Sequence, residues 1–141
     1  MDFGLLGAGL VMGIAACGSA IGMGIAGQSA IGAWKKCYMI NKVAPFILTV
    51  FAGAPLTQTI YGFLLMQQMK NSTADPGFLL GIGISAGLAM CCSAAAQGQA
   101  GAAGADALAE TGKGFANYIM IVGLCETVAL FALLFSMVAL G

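Results

Sequence analysis

The stretch GLCETVALFALLF, residues 123–135, decides how this chain must fold. It places one carboxylate, Glu126, inside an otherwise apolar run. A charge near the centre of a bilayer costs at least ~2.5–3.5 kcal/mol on insertion scales, so membrane helices rarely carry one without a use. The stretch therefore predicts a membrane-spanning helix with a functional acid, and the rest of the chain has to supply the surroundings of Glu126.

The composition of the whole chain is that of a membrane protein. Of its 141 residues, 60% are hydrophobic and 7% are charged, whereas soluble domains have about 25% charged residues. At this length we expect a single domain over residues 1–141. The net charge is zero and there is no histidine, which argues against nucleic-acid binding and against His-based metal or catalytic sites. We therefore expect an all-α integral membrane protein.

Four apolar segments alternate in character along the chain. Gly-rich and Ala-rich segments alternate with segments of bulky Leu, Ile, Phe and Met, in the order 3–33, 43–69, 77–108 and 115–140. Each exceeds the ~20 residues that a helix needs to cross the hydrocarbon core. Polar breaks separate them at 33–42, 70–77 and 109–114. The pattern predicts four transmembrane helices arranged as two hairpins, residues 3–69 and 77–140.

The lysines predict the orientation of these helices in the membrane. Lys70 is alone in the second break, and the other four lie in the first and third breaks: Lys35, Lys36, Lys42 and Lys113. Because cytoplasmic connections carry an excess of Lys and Arg, we expect residues 34–42 and 109–114 to be cytoplasmic and both termini to lie outside. No basic segment or cleavage signal precedes the first apolar run, so we expect it to remain as a membrane helix.

The two hairpins resemble each other in sequence. SAIGMGIAG (19–27) aligns with SAAAQGQAG (93–101), and TQTIYGFLL (57–65) aligns with CETVALFAL (125–133). Parallel duplication of one hairpin accounts for both matches. In this alignment Gln58 stands where the second hairpin has Glu126, so only the second hairpin carries an acid.

Small residues predict how the Gly-rich helices associate. Lipid tails are as apolar as Leu, so membrane helices associate through close approach at small side chains. Pairs of glycines four residues apart recur in the first and third segments: Gly9 and Gly13, Gly18 and Gly22, Gly77 and Gly81, Gly83 and Gly87. These residues cover more than one face of each helix, which favours a ring or tightly packed bundle of several chains. A compact four-helix monomer is the alternative.

Several polar side chains are expected at one depth in the membrane. Gln58, Gln97 and Glu126 each lie about 12–15 residues from the cytoplasmic end of their helix, or roughly 18–22 Å at a rise of about 1.5 Å per residue. Thr57 precedes Gln58, and Tyr61 lies three residues after Gln58 on the same face of the second helix. We therefore expect a hydroxyl, two amides and a carboxylate to meet near the middle of the membrane.

This set of oxygen atoms fits a monovalent cation. Neutral oxygens combined with the single charge of Glu126 suit sodium, whose charge would cancel the carboxylate. Pro55 lacks an N–H and would leave the carbonyl of Phe51 free as a further oxygen. A proton carrier would need only the carboxyl group in its neutral form, and Gln, Thr and Tyr side chains also hold membrane helices together by hydrogen bonds. Sodium binding, proton carriage and packing are the three alternatives.

These features together resemble the duplicated membrane rotor proteolipid of V-type rotary ATPases, in its sodium-carrying bacterial and archaeal branch. The resemblance covers essentially the whole chain and rests on PLTQTIYGF (55–63), AAAQGQAGAAG (94–104) and CETVALF (125–131). It implies that Glu126 carries the ion, with Tyr61 as its hydrogen-bond partner. The implied sodium ligands are the side chains of Thr57, Gln58, Gln97 and Glu126 and the backbone carbonyl of Ala54.

The resemblance also implies a mechanism and partners. Several copies would form a ring in a prokaryotic plasma membrane, in contact with lipid, and ATP hydrolysis in partner subunits would turn it. A stator subunit would supply an arginine near Glu126, and central-stalk subunits would bind the cytoplasmic connections. The chain itself would not be catalytic.

Three other functions are weighed against the sodium rotor. The first is the same rotor role with H⁺, because proton-carrying relatives keep the acid and usually lack the Thr–Gln pair. The second is a small proton-coupled four-helix exporter, which should line its chamber with aromatic residues; here Trp34 is expected in a loop. The third is a structural or fusion-pore proteolipid, in which Glu126 would have no transport role.

Overall fold

The computed structural model describes residues 2–141, and these residues form helices joined by short connections. The elements are α1 (Phe3–Met39), α2 (Leu48–Gly53), a 3₁₀ turn (Ala54–Leu56), α3 (Thr57–Asn71), α4 (Pro76–Thr111) and α5 (Phe115–Leu140). Four stretches are long and apolar enough to cross a membrane: α1, α2 to α3 taken together, α4 and α5. The predicted all-α fold with four membrane spans is confirmed.

The two Gly-rich helices, α1 and α4, form a central pair that runs parallel. Gly7 of α1 lies against Leu79 of α4 at one end, and Ser29 donates a hydrogen bond of 2.7 Å to the carbonyl of Ala102 towards the other. A Cβ on Gly7 would lie 2.6 Å from the Leu79 carbonyl oxygen, so only glycine permits this approach. The bulky helices flank the pair, with α3 against α1 and α5 against α4.

The predicted first connection, residues 34–42, begins too early, because α1 remains helical to Met39 and only residues 40–42 of that segment lie outside the helix. At about 1.5 Å per residue this helix is longer than the ~30 Å hydrocarbon core, so part of it must extend beyond the core. Lys36 Nζ lies 3.1 Å from Asp106 Oδ1 of α4, and Trp34, expected in a loop, donates from Nε1 to the Pro45 carbonyl at 2.8 Å. Asp106 lies 70 residues later and Pro45 lies beyond the end of the helix, so contacts from outside α1 stabilise its polar last turns.

The second span also differs from the predicted 43–69. It begins at Leu48, is interrupted by the 3₁₀ turn and ends at Asn71. Pro55 is the middle residue of that turn and cannot donate a backbone hydrogen bond, which explains the change of helical geometry. The last two helices run close to the predicted limits of 77–108 and 115–140.

The first and third connections lie at the same end of the bundle. Lys42 Nζ donates to the Ala109 carbonyl at 2.9 Å, and Lys36 Nζ lies 3.4 Å from Glu110 Oε1. The lysine-bearing segments 34–42 and 109–114, which include the last turns of α1 and are the lysine-rich connections, therefore share one end of the molecule, while the connection from Ser72 to Asp75 lies at the other end.

Candidate ion-binding site

Two fully buried glutamines form the centre of a polar network between α3 and α4. Gln58 Nε2 donates to Gln97 Oε1 at 2.9 Å. A buried amide without a partner costs about 1–3 kcal/mol in proteins. Within residues 2–141, every buried side-chain nitrogen and oxygen has a hydrogen-bond partner. The predicted meeting of the two glutamines is therefore present, and their burial is compensated.

Glu126 of α5 is held through both carboxylate oxygens. The Tyr61 hydroxyl of α3 donates to Oε1 at 2.5 Å, and Gln97 Nε2 of α4 donates to Oε2 at 3.2 Å. The same Gln97 nitrogen lies 3.2 Å from the Val122 carbonyl oxygen, one turn before the acid. The side chain is half-buried, and the ion pairs among residues 2–141 do not include it. Neutral donors alone therefore hold the carboxylate.

Three further oxygens converge where the 3₁₀ turn meets α3. The hydroxyl of Thr57 lies 3.2 Å from the carbonyl oxygen of Ala54 and 3.2 Å from Oε1 of Gln58. The turn brings the Ala54 carbonyl to this position. The carbonyl of Phe51, the other candidate, lies instead against Gly101, where an added Cβ would stand 2.9 Å from its oxygen.

Two buried serines complete the network, and sequence reasoning missed both. Ser93 Oγ donates to the Cys125 carbonyl at 2.7 Å and lies 3.4 Å from Gln58 Nε2. Ser19 Oγ accepts a bond of 3.2 Å from the Thr59 amide. The signal for both was available, because they occupy equivalent positions in the internal repeat.

The arrangement combines one negative charge with neutral oxygens of three kinds: hydroxyl, amide and backbone carbonyl. All the side chains that the sequence predicted for the site lie in one connected network: Thr57, Gln58, Tyr61, Gln97 and Glu126. They come from three helices, so the site exists only when both hairpins are packed together. This donor set is chemically suited to a hard cation.

Comparison with known proteins shows that this chain is similar to subunits of ATP synthases. Residues 80–139 match the family of the ATP synthase C-subunit, and this segment includes both Gln97 and Glu126. A protein from Methanocaldococcus jannaschii named A-type ATP synthase subunit K is 40% identical over 139 residues, which is 97% of this chain. The chain spans 61% of the length of that relative.

Proposed function

We propose that this chain is an ion-carrying rotor subunit of a rotary ATPase, because residues 80–139 match the ATP synthase C-subunit family and a 40% identical relative is named a subunit of an A-type ATP synthase. The observation that carries the proposal is the position of Glu126, held in mid-span by Tyr61 and Gln97 beside a cluster of neutral oxygens. ATP would be hydrolysed in partner subunits, and this chain would not be catalytic. These matches argue against the small exporter, and loss of ATP-driven ion uptake in Glu126→Gln would exclude the structural or fusion-pore proteolipid.

The ion is Na⁺ in this proposal. Its ligands are the side chains of Thr57, Gln58, Gln97 and Glu126 and the carbonyl of Ala54. The short distances from the Thr57 hydroxyl to two other oxygens support this set. The amide of Gln97 now donates to Glu126, and a half-turn about its terminal bond would present its oxygen to a cation instead. Tyr61 would keep its hydrogen bond to the carboxylate.

The energetic cost of placing a charge in lipid determines when the proposed ring can rotate. Several copies would form a ring, with each Glu126 facing outward. An unneutralised carboxylate in hydrocarbon costs at least ~2.5–3.5 kcal/mol, so the ring turns past lipid only with an ion or a proton bound. A stator subunit would offer an arginine that displaces the ion. Central-stalk subunits would sit on the lysine-rich connections, which we place in the cytoplasm of a prokaryotic cell, with both termini outside.

The duplication sets how many ions one turn carries. Because Gln58 stands where an acid would stand in the first hairpin, residues 3–69, each chain carries one ion for its four helices. The first hairpin instead supplies ligands to the acid of the second, residues 77–140. When fewer ions are carried per revolution of the ring, more free energy from ATP hydrolysis is available for each ion. This favours pumping against a steep gradient.

The test measures how fast a hydrophobic carbodiimide modifies Glu126 at fixed pH, with and without sodium. We expect millimolar Na⁺ to slow the reaction, and Gln58→Ala to raise the protecting concentration at least tenfold because a ligand is lost. The matched control is Gln67→Ala, an exposed amide on the same helix. If pH alone governs the rate, the ring carries protons. If Glu126→Gln leaves ATP-driven ion uptake intact, the rotor proposal itself fails.

A further inference from the structure

The start of α3 is capped by a side chain from another helix. The first amides of an α-helix have no carbonyl partner within the helix, and Thr59 is the third residue of α3. Its amide donates to the hydroxyl of Ser19, which lies in α1, at 3.2 Å. Ser19 is only 2% exposed, so solvent does not compete for this bond. The helix α1 therefore supplies an oxygen that α3 lacks.

The residue that precedes α3 cannot provide this cap. A capping residue has an extended backbone, and its side-chain oxygen accepts from the second or third amide of the helix. Leu56 holds this position, but its side chain is apolar and its backbone is helical, with φ −69° and ψ −28°. The 3₁₀ turn imposes this conformation, because Leu56 is the last residue of the turn. The cap therefore has to come from outside the second span.

The equivalent serine of the second hairpin shows what the turn changes. Ser93 stands where the repeat places Ser19, and its hydroxyl donates to the carbonyl of Cys125 at 2.7 Å. The helix that contains Cys125, α5, is unbroken, so its amides in that region are already bonded within the helix. The second span is instead broken at the 3₁₀ turn that contains Pro55. The break leaves an amide free, and the serine becomes an acceptor.

A second contact between α1 and the 3₁₀ turn lies close to Ser19. Pro55 is fully buried, and a Cβ added to Gly22 would lie 2.8 Å from the Pro55 Cβ. Gly22 is three residues after Ser19, so both contacts lie on one face of α1. Together they hold the second span on either side of Thr57 and Gln58.

Three of the five proposed sodium ligands lie within or directly beside the segment that these contacts hold. They are the Ala54 carbonyl and the side chains of Thr57 and Gln58, and the Thr57 hydroxyl is 3.2 Å from the oxygens of the other two. Among residues 2–141, the hydrogen bonds of the remaining ligands, Gln97 and Glu126, join only α3, α4 and α5. The contacts of α1 therefore act on the part of the site that lies in the second span.

We propose that Ser19 is a positioning residue for sodium binding. Its hydroxyl fixes the first turn of α3 and so holds the Ala54 carbonyl and the side chains of Thr57 and Gln58 where they reach one ion. This inference rests on the proposed sodium site and gives a role in it to α1, the helix that contributes no ligand. A proton needs only the carboxyl group of Glu126. Loss of the Ser19 hydroxyl should therefore weaken the binding of sodium and leave the binding of a proton unchanged.

The experiment compares Ser19→Ala with Ser29→Ala, each in the full chain and in membranes. Ser29 is a matched control, because its hydroxyl bonds the Ala102 carbonyl and it lies roughly 15 Å further along α1. The first readout is the Na⁺ concentration that half-protects Glu126 from carbodiimide at fixed pH. We expect Ser19→Ala to raise it about 2- to 30-fold, the range that corresponds to loss of a helix cap. Ser29→Ala should leave it unchanged.

The second readout separates positioning from general damage to the site. In sodium-free buffer the rate of modification depends on the protonation of Glu126, and the pH that halves this rate should be the same in the unaltered chain and in both variants. A shift of that pH in Ser19→Ala would mean that the whole site is disturbed, which overturns the positioning role. Ser19→Cys changes the shape less, and because a thiol is a weak acceptor, its half-protecting Na⁺ concentration should lie between those of the unaltered chain and Ser19→Ala.

The same measurements distinguish a failure of this role from a failure of the sodium site. If Na⁺ protects Glu126 in the unaltered chain and equally well in Ser19→Ala and Ser29→Ala, Ser19 has no positioning role and the sodium site stands. If Na⁺ does not protect Glu126 even in the unaltered chain, the sodium site itself fails and the role of Ser19 fails with it.

Discussion

Glu126 is held in the membrane by neutral groups from two other helices. Tyr61 donates to one carboxylate oxygen and Gln97 to the other. A hydrogen bond to a charged group contributes about 1.5–3 kcal/mol, so two of them are comparable with the ~2.5–3.5 kcal/mol insertion cost of the charge. The acid can therefore occupy its position in the chain without a basic partner, and a cation can approach it.

Ser93 should position the site without touching the ion. Ser93→Ala leaves the Cys125 carbonyl and a Gln58 N–H without this partner. A neutral hydrogen bond contributes about 0.5–1.5 kcal/mol net, so we expect the Na⁺ concentration that half-protects Glu126 from carbodiimide to rise about 2- to 12-fold. Ser85→Ala is the matched control, because the Ser85 hydroxyl bonds only its own helix. Equal protection curves for the two variants would exclude the positioning role.

From the sequence, the site could be predicted only as far as the depth of each residue along its helix determines which residues meet. Counting residues along straight helices placed Gln58, Gln97 and Glu126 at one level, and the structure brings them together. Depth does not fix how the helices are rotated about their axes, so the bond from Ser93 to the backbone of α5 could not be foreseen. The Ala54 carbonyl depends on the 3₁₀ turn, whose geometry composition does not specify.

At the scale of elements, composition predicted the number of membrane-spanning stretches better than where each helix ends. The polar, lysine-containing end of α1 was predicted to be a loop, but it is helical to Met39. Its partners on α4, Asp106 and Glu110, follow about 70 residues later in the chain. Because tertiary contacts stabilise these turns, local sequence could not show them. The predicted ends of α4 were nearly correct, since Asp75 and Gly112 mark them locally, and Gly114 likewise marks the start of α5.

The close contact of α1 with α4 makes one glycine essential to the fold. A Cβ on Gly83 would overlap the backbone of Gly7, whereas a Cβ on Gly123 of α5 would meet nothing within 4 Å. Overpacking costs ~1–3 kcal/mol, so Gly83→Ala should lower the unfolding temperature of the detergent-purified protein, and Gly123→Ala should leave it unchanged. A stable Gly83→Ala protein would mean that the two helices separate easily, contrary to the packing described.

At the scale of the whole molecule, the two hairpins contribute to a single polar network around Glu126. The first hairpin contributes Gln58 and Tyr61, and the second contributes Gln97 and Glu126. The parallel packing of α1 and α4 brings the two copies of the repeat to the same height. In the proposed ion site, the amide of Gln58 at the position equivalent to Glu126 would serve as a ligand, so neither hairpin alone would hold the ion in this way.

The proposed coupling to a motor depends on the orientation of the molecule in the membrane. Lys113, between α4 and α5, should face the cytoplasm together with the lysines of the first connection. Thr73, in the connection at the opposite end, should face outside. Both residues are exposed, so Lys113→Cys and Thr73→Cys in a cysteine-free chain report the side by labelling.

A membrane-impermeant maleimide applied to right-side-out spheroplasts should label Thr73→Cys and spare Lys113→Cys. In inverted vesicles the cytoplasmic face is turned outward, so the maleimide should label Lys113→Cys and spare Thr73→Cys. Labelling of Lys113→Cys in intact spheroplasts would put the lysine-rich connections outside the cell. A central stalk driven by cytoplasmic ATP could not reach them there, so that result would separate ion binding at Glu126 from the proposed rotary coupling.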